Sequence, residues 1–225
     1  MTAARFTRRD VLHLAVAVGA AAALGSCVEP QTSEPPTPAP RTEPTDMGTS
    51  TPRPQVLLVY FSRAGENYWE GGRRDLEVGN TERLATMIAG RTGCDVYRIE
   101  ASDPYSDDYD DTVARNVREQ DTNARPGIAG ELPNISTYDV VILASPIWNV
   151  RPPMIMSTFA ESVPLGDTTV LPVTTHAMSG LGRSVEVYSD LAPDATIGEG
   201  LAVRGEDVDD AGPELDRWLS SVELV

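Results

Sequence analysis

Lysine is absent from all 225 residues. That excludes Schiff-base chemistry and the phosphate-loop lysine of nucleoside triphosphate binders. Neither G-x-x-x-x-G-K-[S/T] nor G-x-G-x-x-G occurs, so a triphosphate loop and a dinucleotide fingerprint are both unsupported. Histidine is limited to His13 and His176. With no cysteine pair and no H-E-x-x-H, no metal site is expected. There is no G-x-S-x-G elbow, which argues against a serine hydrolase. Positive charge is scarce too: the formal net charge is −16. Residues 1–26 carry +2, leaving −18 on the remainder. Such a surface repels nucleic acid and bare anionic lipid, while a basic protein partner stays compatible with it.

What is present is unevenly spread. Apolar runs fall at residues 11–24, 56–61, 140–144 and 170–173. The first is too short and too weakly apolar for a permanent membrane span but suits the apolar region of a signal peptide. Arg8-Arg9 ahead of it resemble a twin-arginine export signal, and Leu24-Gly25-Ser26-Cys27 resembles a lipobox. In such signals cleavage precedes the cysteine, whose thiol receives a diacylglycerol. The alternative is a plain secretory leader with a chance cysteine. Residues 1–26 are therefore expected to be an address, and Cys27 a lipidation site that holds the protein on the membrane without spanning it. Cys94 is then the only free thiol, so no internal disulfide is expected; it reads as a small buried hydrophobe rather than a reactive group.

Of the 27 residues 28–54, sixteen are Pro, Ser or Thr. So little apolar area cannot offset the entropy of ordering, and residues 27–54 read as a disordered tether. Its prolines favour extended polyproline II, with a reach of up to roughly 80 Å at about 3.1 Å per residue.

From residue 55 to 225 strand and helix patterns alternate. Residues 56–61 (VLLVYF) and 138–145 (YDVVILAS) are continuous apolar runs, the mark of strands buried on both faces. Further strands are predicted at 94–100, 169–174 and 196–203, the last interrupted by Gly198 and Gly200. Helices are predicted from Asn80-Thr81-Glu82 to a stop marked by Gly90 and Gly93, over 111–120, from Pro152-Pro153 through Phe159 to about Val163, over 185–191, and along the stripe Leu215, Trp218, Leu219. The expected fold is α/β: a doubly wound, five-stranded parallel sheet of order 2-1-3-4-5. A ligand should then sit at the loops after the first, third and fourth strands.

Those three loops have unusual compositions. The first runs from Ser62-Arg63-Ala64-Gly65 to Gly79-Asn80-Thr81 and enters a helix; hydroxyls and backbone N–H groups there suit one phosphate, or simply a capped polar loop. The second, Pro146-Ile147-Trp148-Asn149, offers an aromatic wall for a flat ring, or a packing residue. The third holds Thr175, His176, Ser179, Gly180 and Gly182.

Together, Tyr60-Phe61-Ser62-Arg63-Ala64-Gly65 with Gly79-Asn80-Thr81, Pro146-Ile147-Trp148, and Thr175-His176-Ala177-Met178-Ser179-Gly180-Leu181-Gly182 resemble the flavodoxin-like family. Asn123-Ala124-Arg125-Pro126 resembles a further segment found there. The likeness spans about residues 56–225. It implies flavin mononucleotide (FMN), with Ser62, Asn80 and Thr81 near the phosphate and the second and third loops flanking the isoalloxazine. Arg63, Ala64, Gly65, Pro146, Ile147, Trp148, Asn149, Thr175, His176, Ser179, Gly180 and Gly182 complete the implied cofactor-binding set. Two departures stand out. Residues 66–78 (ENYWEGGRRDLEV) separate the serine from the Asn-Thr pair, as a lid or as a loop that alters phosphate binding, and Asn149 replaces a second aromatic residue or a glycine. No side chain is expected to act as nucleophile. His176 is a candidate contact to flavin or substrate, or an ordinary loop histidine.

The expected function is an exported flavoprotein at the outer face of the cytoplasmic membrane. It would act as an electron carrier or FMN oxidoreductase, serving a redox partner protein or a small quinone-like acceptor. The alternative is a flavin-free binding or scaffold lipoprotein that keeps only the fold.

Overall fold

The structure, a computed structural model, describes residues 53–225. The leader, the Cys27 lipidation call and nearly all of the tether lie outside the described residues. Strand β1 (Val56–Tyr60) pairs in parallel with β4 (Asp95–Arg98) on one side and β5 (Val140–Pro146) on the other. β5 pairs with β6 (Thr169–His176), whose far edge carries β7 (Thr196–Ile197) and β8 (Leu201–Arg204), again in parallel. Counting β7 and β8 as one interrupted strand, the order is the expected 2-1-3-4-5.

Side chains of β1 and β5 alternate between two cores, which is why both runs are apolar throughout. Leu57, Val59, Val141 and Leu143 pack with Phe159 of helix α3 (Met154–Ser162) and with Val187 and Tyr188 of α4 (Ser184–Leu191). Leu58, Tyr60, Ile142 and Ala144 pack with Leu84 and Ile88 of α1 (Asn80–Thr92) and with Leu215, Trp218 and Leu219 of α5 (Gly212–Ser221). Helix α2 (Tyr109–Asp121) follows β4. Cys94 is a half-buried free thiol against the second core.

The fifth strand is broken for a reason that lies in its neighbour. Thr168 and Val170 turn their carbonyls to the fifth strand, accepting from the Thr196 and Gly198 N–H groups at 3.1 and 2.9 Å. Pro172, two residues on, faces the same way but has no N–H to donate. Pairing therefore stops after Val170 and resumes at Val173.

Other boundaries differ from the sequence reading. Gly90 lies inside α1, which ends at Gly93 with φ of 68°. Pro152 and Pro153 precede α3 rather than forming its first turn, Pro153 being the N-cap. A 3-10 segment at Gly205–Asp210 was not foreseen.

The inserted segment is a β-hairpin, β2 (Gly65–Trp69) and β3 (Gly72–Leu76). It is fastened to the start of α2. The Arg73 guanidinium donates to both Asp110 oxygens at 2.9 and 2.6 Å and lies 4.6 Å from the centre of the Tyr109 ring. At the hairpin base, Glu66 N–H donates to the Asp107 carbonyl at 2.8 Å. Gly65, at φ of 78°, is required there because a Cβ would sit 2.6 Å from that same carbonyl oxygen. The hairpin tip reaches across to the 3-10 segment, where Glu70 N–H donates to Glu206 Oε1 at 3.1 Å.

Candidate functional site

At the carboxyl end of the sheet, the three loops and the hairpin enclose a cavity of about 330 Å³. Its floor is the entry to α1. The chain there runs so close that a Cβ on Gly79 would collide with Ser62 Oγ and the Arg63 carbonyl. Gly79 as N-cap offers no side-chain acceptor; Ser62 Oγ, from the β1 loop, instead accepts the Glu82 N–H at 3.1 Å. Neither Asn80 nor Thr81 is the cap. The buried Thr81 hydroxyl shares a 2.7 Å hydrogen bond with the buried Thr175 hydroxyl at the end of β6, tying the first loop to the third. The positive end of the helix macrodipole and its first N–H groups thus face the cavity beside two hydroxyls.

One wall is Trp148. Its ring meets Phe61 and Tyr105 edge-on, with centroids 5.6 and 5.1 Å away, and those two meet each other at 5.4 Å. The loop beyond it is a tight two-residue turn in which Trp148 N–H donates to the Arg151 carbonyl at 2.9 Å. Asn149 (φ 49°) and Val150 (φ 62°) are both left-handed, the geometry of a primed hairpin turn. For a β-branched residue this is an outlier. The third loop holds it there: Arg183 N–H donates to the Val150 carbonyl at 2.8 Å.

Arg63 is the cation nearest the floor. Its guanidinium donates to the Ser106 and Asp107 carbonyls at 2.9 and 3.1 Å and also to the Glu66 carbonyl. Burial lowers its pKa from the ordinary value, opposed by Asp107, Asp108 and Glu66. Its Nε is buried with no protein partner among the described residues, as is Nδ1 of His176. His176 closes β6 and is in register with Arg204 of β8. Burial, and then the Arg204 charge, lower the imidazole pKa, with Glu206, Glu214 and Asp207 pulling the other way.

Of the residues singled out in the sequence, Ser62, Arg63, Asn80, Thr81, Pro146, Ile147, Trp148, Thr175 and His176 line this cavity. Ala64, Gly65, Asn149, Ser179, Gly180 and Gly182 do not. Gly65 serves the hairpin base, and a Cβ on Gly182 would lie 2.5 Å from the Val150 carbonyl. Asn67, Tyr68, Tyr109, Ala177, Met178, Gly205 and Glu206 also line it. Asn67 and Tyr68 lie in the inserted segment read as a lid or an altering loop, and Ala177 and Met178 stood inside the third-loop motif; Tyr109, Gly205 and Glu206, from α2 and the 3-10 segment, carry no motif and were missed.

The fold and the placement of these loops define a flavodoxin-type α/β protein. Residues 76–222 match the sequence profile of a family described as flavodoxin. The chain belongs to that family, although the match begins at the end of the hairpin, so the Ser62 loop precedes it. Among solved structures, a candidate flavoprotein from Bacteroides eggerthii DSM 20697 is 28% identical with a TM-score of 0.60, over 76% of this chain and 98% of its own. Another from Bacteroides uniformis ATCC 8492 is 23% identical with a TM-score of 0.61, over 75% and 99%. A flavoprotein from Lactobacillus acidophilus NCFM in complex with FMN is 17% identical with a TM-score of 0.53, over 73% and 98%. At such identities the last two likenesses are of fold. No curated protein matches the chain in sequence.

Two predictions follow from this geometry. Val150→Gly should stabilise the protein by about 1 kcal/mol in urea unfolding, because glycine relieves the left-handed strain and the valine side chain is largely exposed; destabilisation would mean that the valine packs usefully.

His176 should titrate below the ordinary imidazole value of 6.5, in NMR spectra assigned by His176→Gln. With its folded pKa depressed, its contribution to stability is present above about 6.5 and is lost as pH falls through the folded value.

Proposed function

We propose that this chain binds FMN and uses it for electron transfer or for reduction of a small acceptor such as a quinone, as an exported lipoprotein on the outer face of the cytoplasmic membrane. The observation that carries the reading is the convergence of all three loops on one cavity floored by the N-terminus of α1. The residues fit the group. An N-terminus without its own side-chain cap, beside Ser62 and Thr81, suits a phosphate and needs no lysine. Trp148 and the third loop suit a flat heteroaromatic ring, and the buried Nδ1 of His176 is a polar atom with a bond still to make. Membership of the flavodoxin family and the FMN bound by the Lactobacillus protein support the same assignment.

FMN, when bound, supplies the reversible uptake of one or two electrons. The chain's part is to hold and orient it. Ser62, Asn80 and Thr81 would hold the phosphate, and the second and third loops would flank the ring. His176, neutral at pH 7, would present an uncharged imidazole. Nicotinamide is scarce outside the cytoplasm, which favours a partner protein as electron source. The leader is consistent with the cofactor. FMN is made in the cytoplasm, and the twin-arginine route that Arg8 and Arg9 resemble carries folded cargo, so a non-covalent flavin would travel already bound.

FMN should bind in a one-to-one ratio by calorimetry or flavin fluorescence; no response to added FMN would sink the reading. The Ser62→Ala/Thr81→Ala double variant should lose on the order of 2–4 kcal/mol of FMN affinity. Because both side chains also brace α1, riboflavin is the control: lacking the phosphate, it should lose far less, and equal losses would place the phosphate elsewhere.

Changing Arg8 and Arg9 to Lys should strand a folded, FMN-loaded precursor in the cytoplasm, since two ammonium groups do not replace two guanidinium groups. Cell fractionation followed by a flavin assay checks this; arrival of the variant at the membrane face would point to the general secretory route.

A further inference from the structure

A second cavity, of about 310 Å³, lies against the first and shares with it Arg63, Asn67, Tyr109, Ile147 and Trp148. Its outer wall is α2, and that helix is built the wrong way round for one that only covers a core. The residues it buries are Thr112, Asn116 and Glu119. Its two valines, Val113 and Val117, are each 42% exposed. Four apart, they form one apolar strip on a helix otherwise made of polar, charged and small residues, and both line this cavity.

Three features limit what such a space can hold. Its volume is at the low end for small-molecule sites, enough for a compact ring and too small for a peptide segment. No free cation is left in it to hold an anion. Arg63, the one charged residue in its lining, is hydrogen-bonded to backbone carbonyls and lies near Asp107, Asp108 and Glu66, and the chain beyond the leader carries −18. Its polar lining is the amides of Asn67, Asn116 and Asn149, the hydroxyls of Tyr109 and Thr112, and Arg63. Asn116 is 4% exposed, and its Oδ1 is occupied by Gln120 Nε2 at 3.1 Å. Among the described residues no protein acceptor takes its Nδ2, a donor suited to a carbonyl oxygen.

We propose that this second cavity is the acceptor subsite, and that it takes a neutral, planar quinone. Val113 and Val117 pack on its ring, Asn116 Nδ2 donates to one of its carbonyls, and Trp148 forms the wall held in common with the first cavity. The proposal rests on the FMN reading above, since the electrons come from that neighbouring site. The quinone gains two electrons and two protons, its two C=O groups becoming C–OH, and the same two electrons and protons are lost from reduced FMN.

The test is calorimetric titration of the full chain with duroquinone, with and without FMN. Every ring carbon of duroquinone is substituted, which disfavours addition of the Cys94 thiol. Saturable one-to-one binding is expected in both cases. Val117→Asp, a change at an exposed position, should weaken it at least tenfold while FMN affinity moves less than twofold. Asn116→Asp, which keeps the acceptor for Gln120 but removes the donor, should weaken it several-fold. Unchanged affinity in Val117→Asp, or no binding at all, overturns the subsite. Competition between duroquinone and FMN also overturns it, because the cavity would then belong to the flavin's own site. If FMN fails to bind while duroquinone binds and responds to Val117→Asp, the subsite stands and the FMN reading fails alone.

Discussion

The parallel ladder joining β1, β5 and β6 is the constraint on which the rest depends. Its register places Tyr60 beside Ala144 and Ala144 beside Val173, so three strands release their chains at one level. Neighbouring strands lie about 4.8 Å apart. Loops leaving such adjacent ends are bound to meet, and the hydroxyl contact between Thr81 and Thr175 closes the gap between the outer two. The burial of β1 and β5 on both faces specifies that register. In a sheet with one wet face a slip exchanges inside for outside, whereas here it would misfit two cores together.

Electrostatics around the site is shaped by having arginine as its only strong cation. Arginine pairs with carboxylates through two parallel bonds, and Arg73 with Asp110 and Arg125 with Glu161 do so. The first of these fastens an inserted hairpin to α2 and thereby builds a wall of the cavity. It is exposed, and alone such a pair contributes little. The stacking of Arg73 on Tyr109, the Glu66–Asp107 backbone bond and the close approach at Gly65 act with it. Arg63 works differently: its hydrogen bonds go to carbonyls, while Asp107, Asp108 and Glu66 nearby balance its charge without pairing directly.

Strain and polarity are concentrated at the same end of the sheet. The left-handed pair Asn149 and Val150, the buried unpaired atoms of Arg63 and His176, and the inverted burial pattern of α2 all adjoin the two cavities. They are not the only such places, since Asn123 and Glu223 are also left-handed and Tyr188 Oη is buried without a partner, whereas the apolar strands and the left-handed Gly93 that ends α1 follow local preference. Departures from local consistency tend to gather where a structure is shaped for a ligand.

The fold class, the strand order and nine of the cavity residues were legible in the sequence, because each depends on local pattern: continuous apolar runs for β1 and β5, and polar, glycine-rich stretches directly after strands. The broken fifth strand was half visible. Gly198 and Gly200 marked the interruption, but its cause is the missing N–H of Pro172 on a strand some 25 residues earlier, and only the pairing reveals which way that residue faces. Residues 66–78 could not be read as a hairpin, since their alternation is weak and their order comes from Asp107 and Asp110, far along the chain. Tyr109, Glu206 and the valines of α2 carry no motif at all. Sequence by itself determined the sheet and the ends at which its loops emerge, because apolar periodicity is a property of neighbours in the chain. Which further elements wall the cavity, which hydroxyls are already bonded and which polar atoms remain free were decided only by tertiary structure, because those depend on groups brought together across tens of residues.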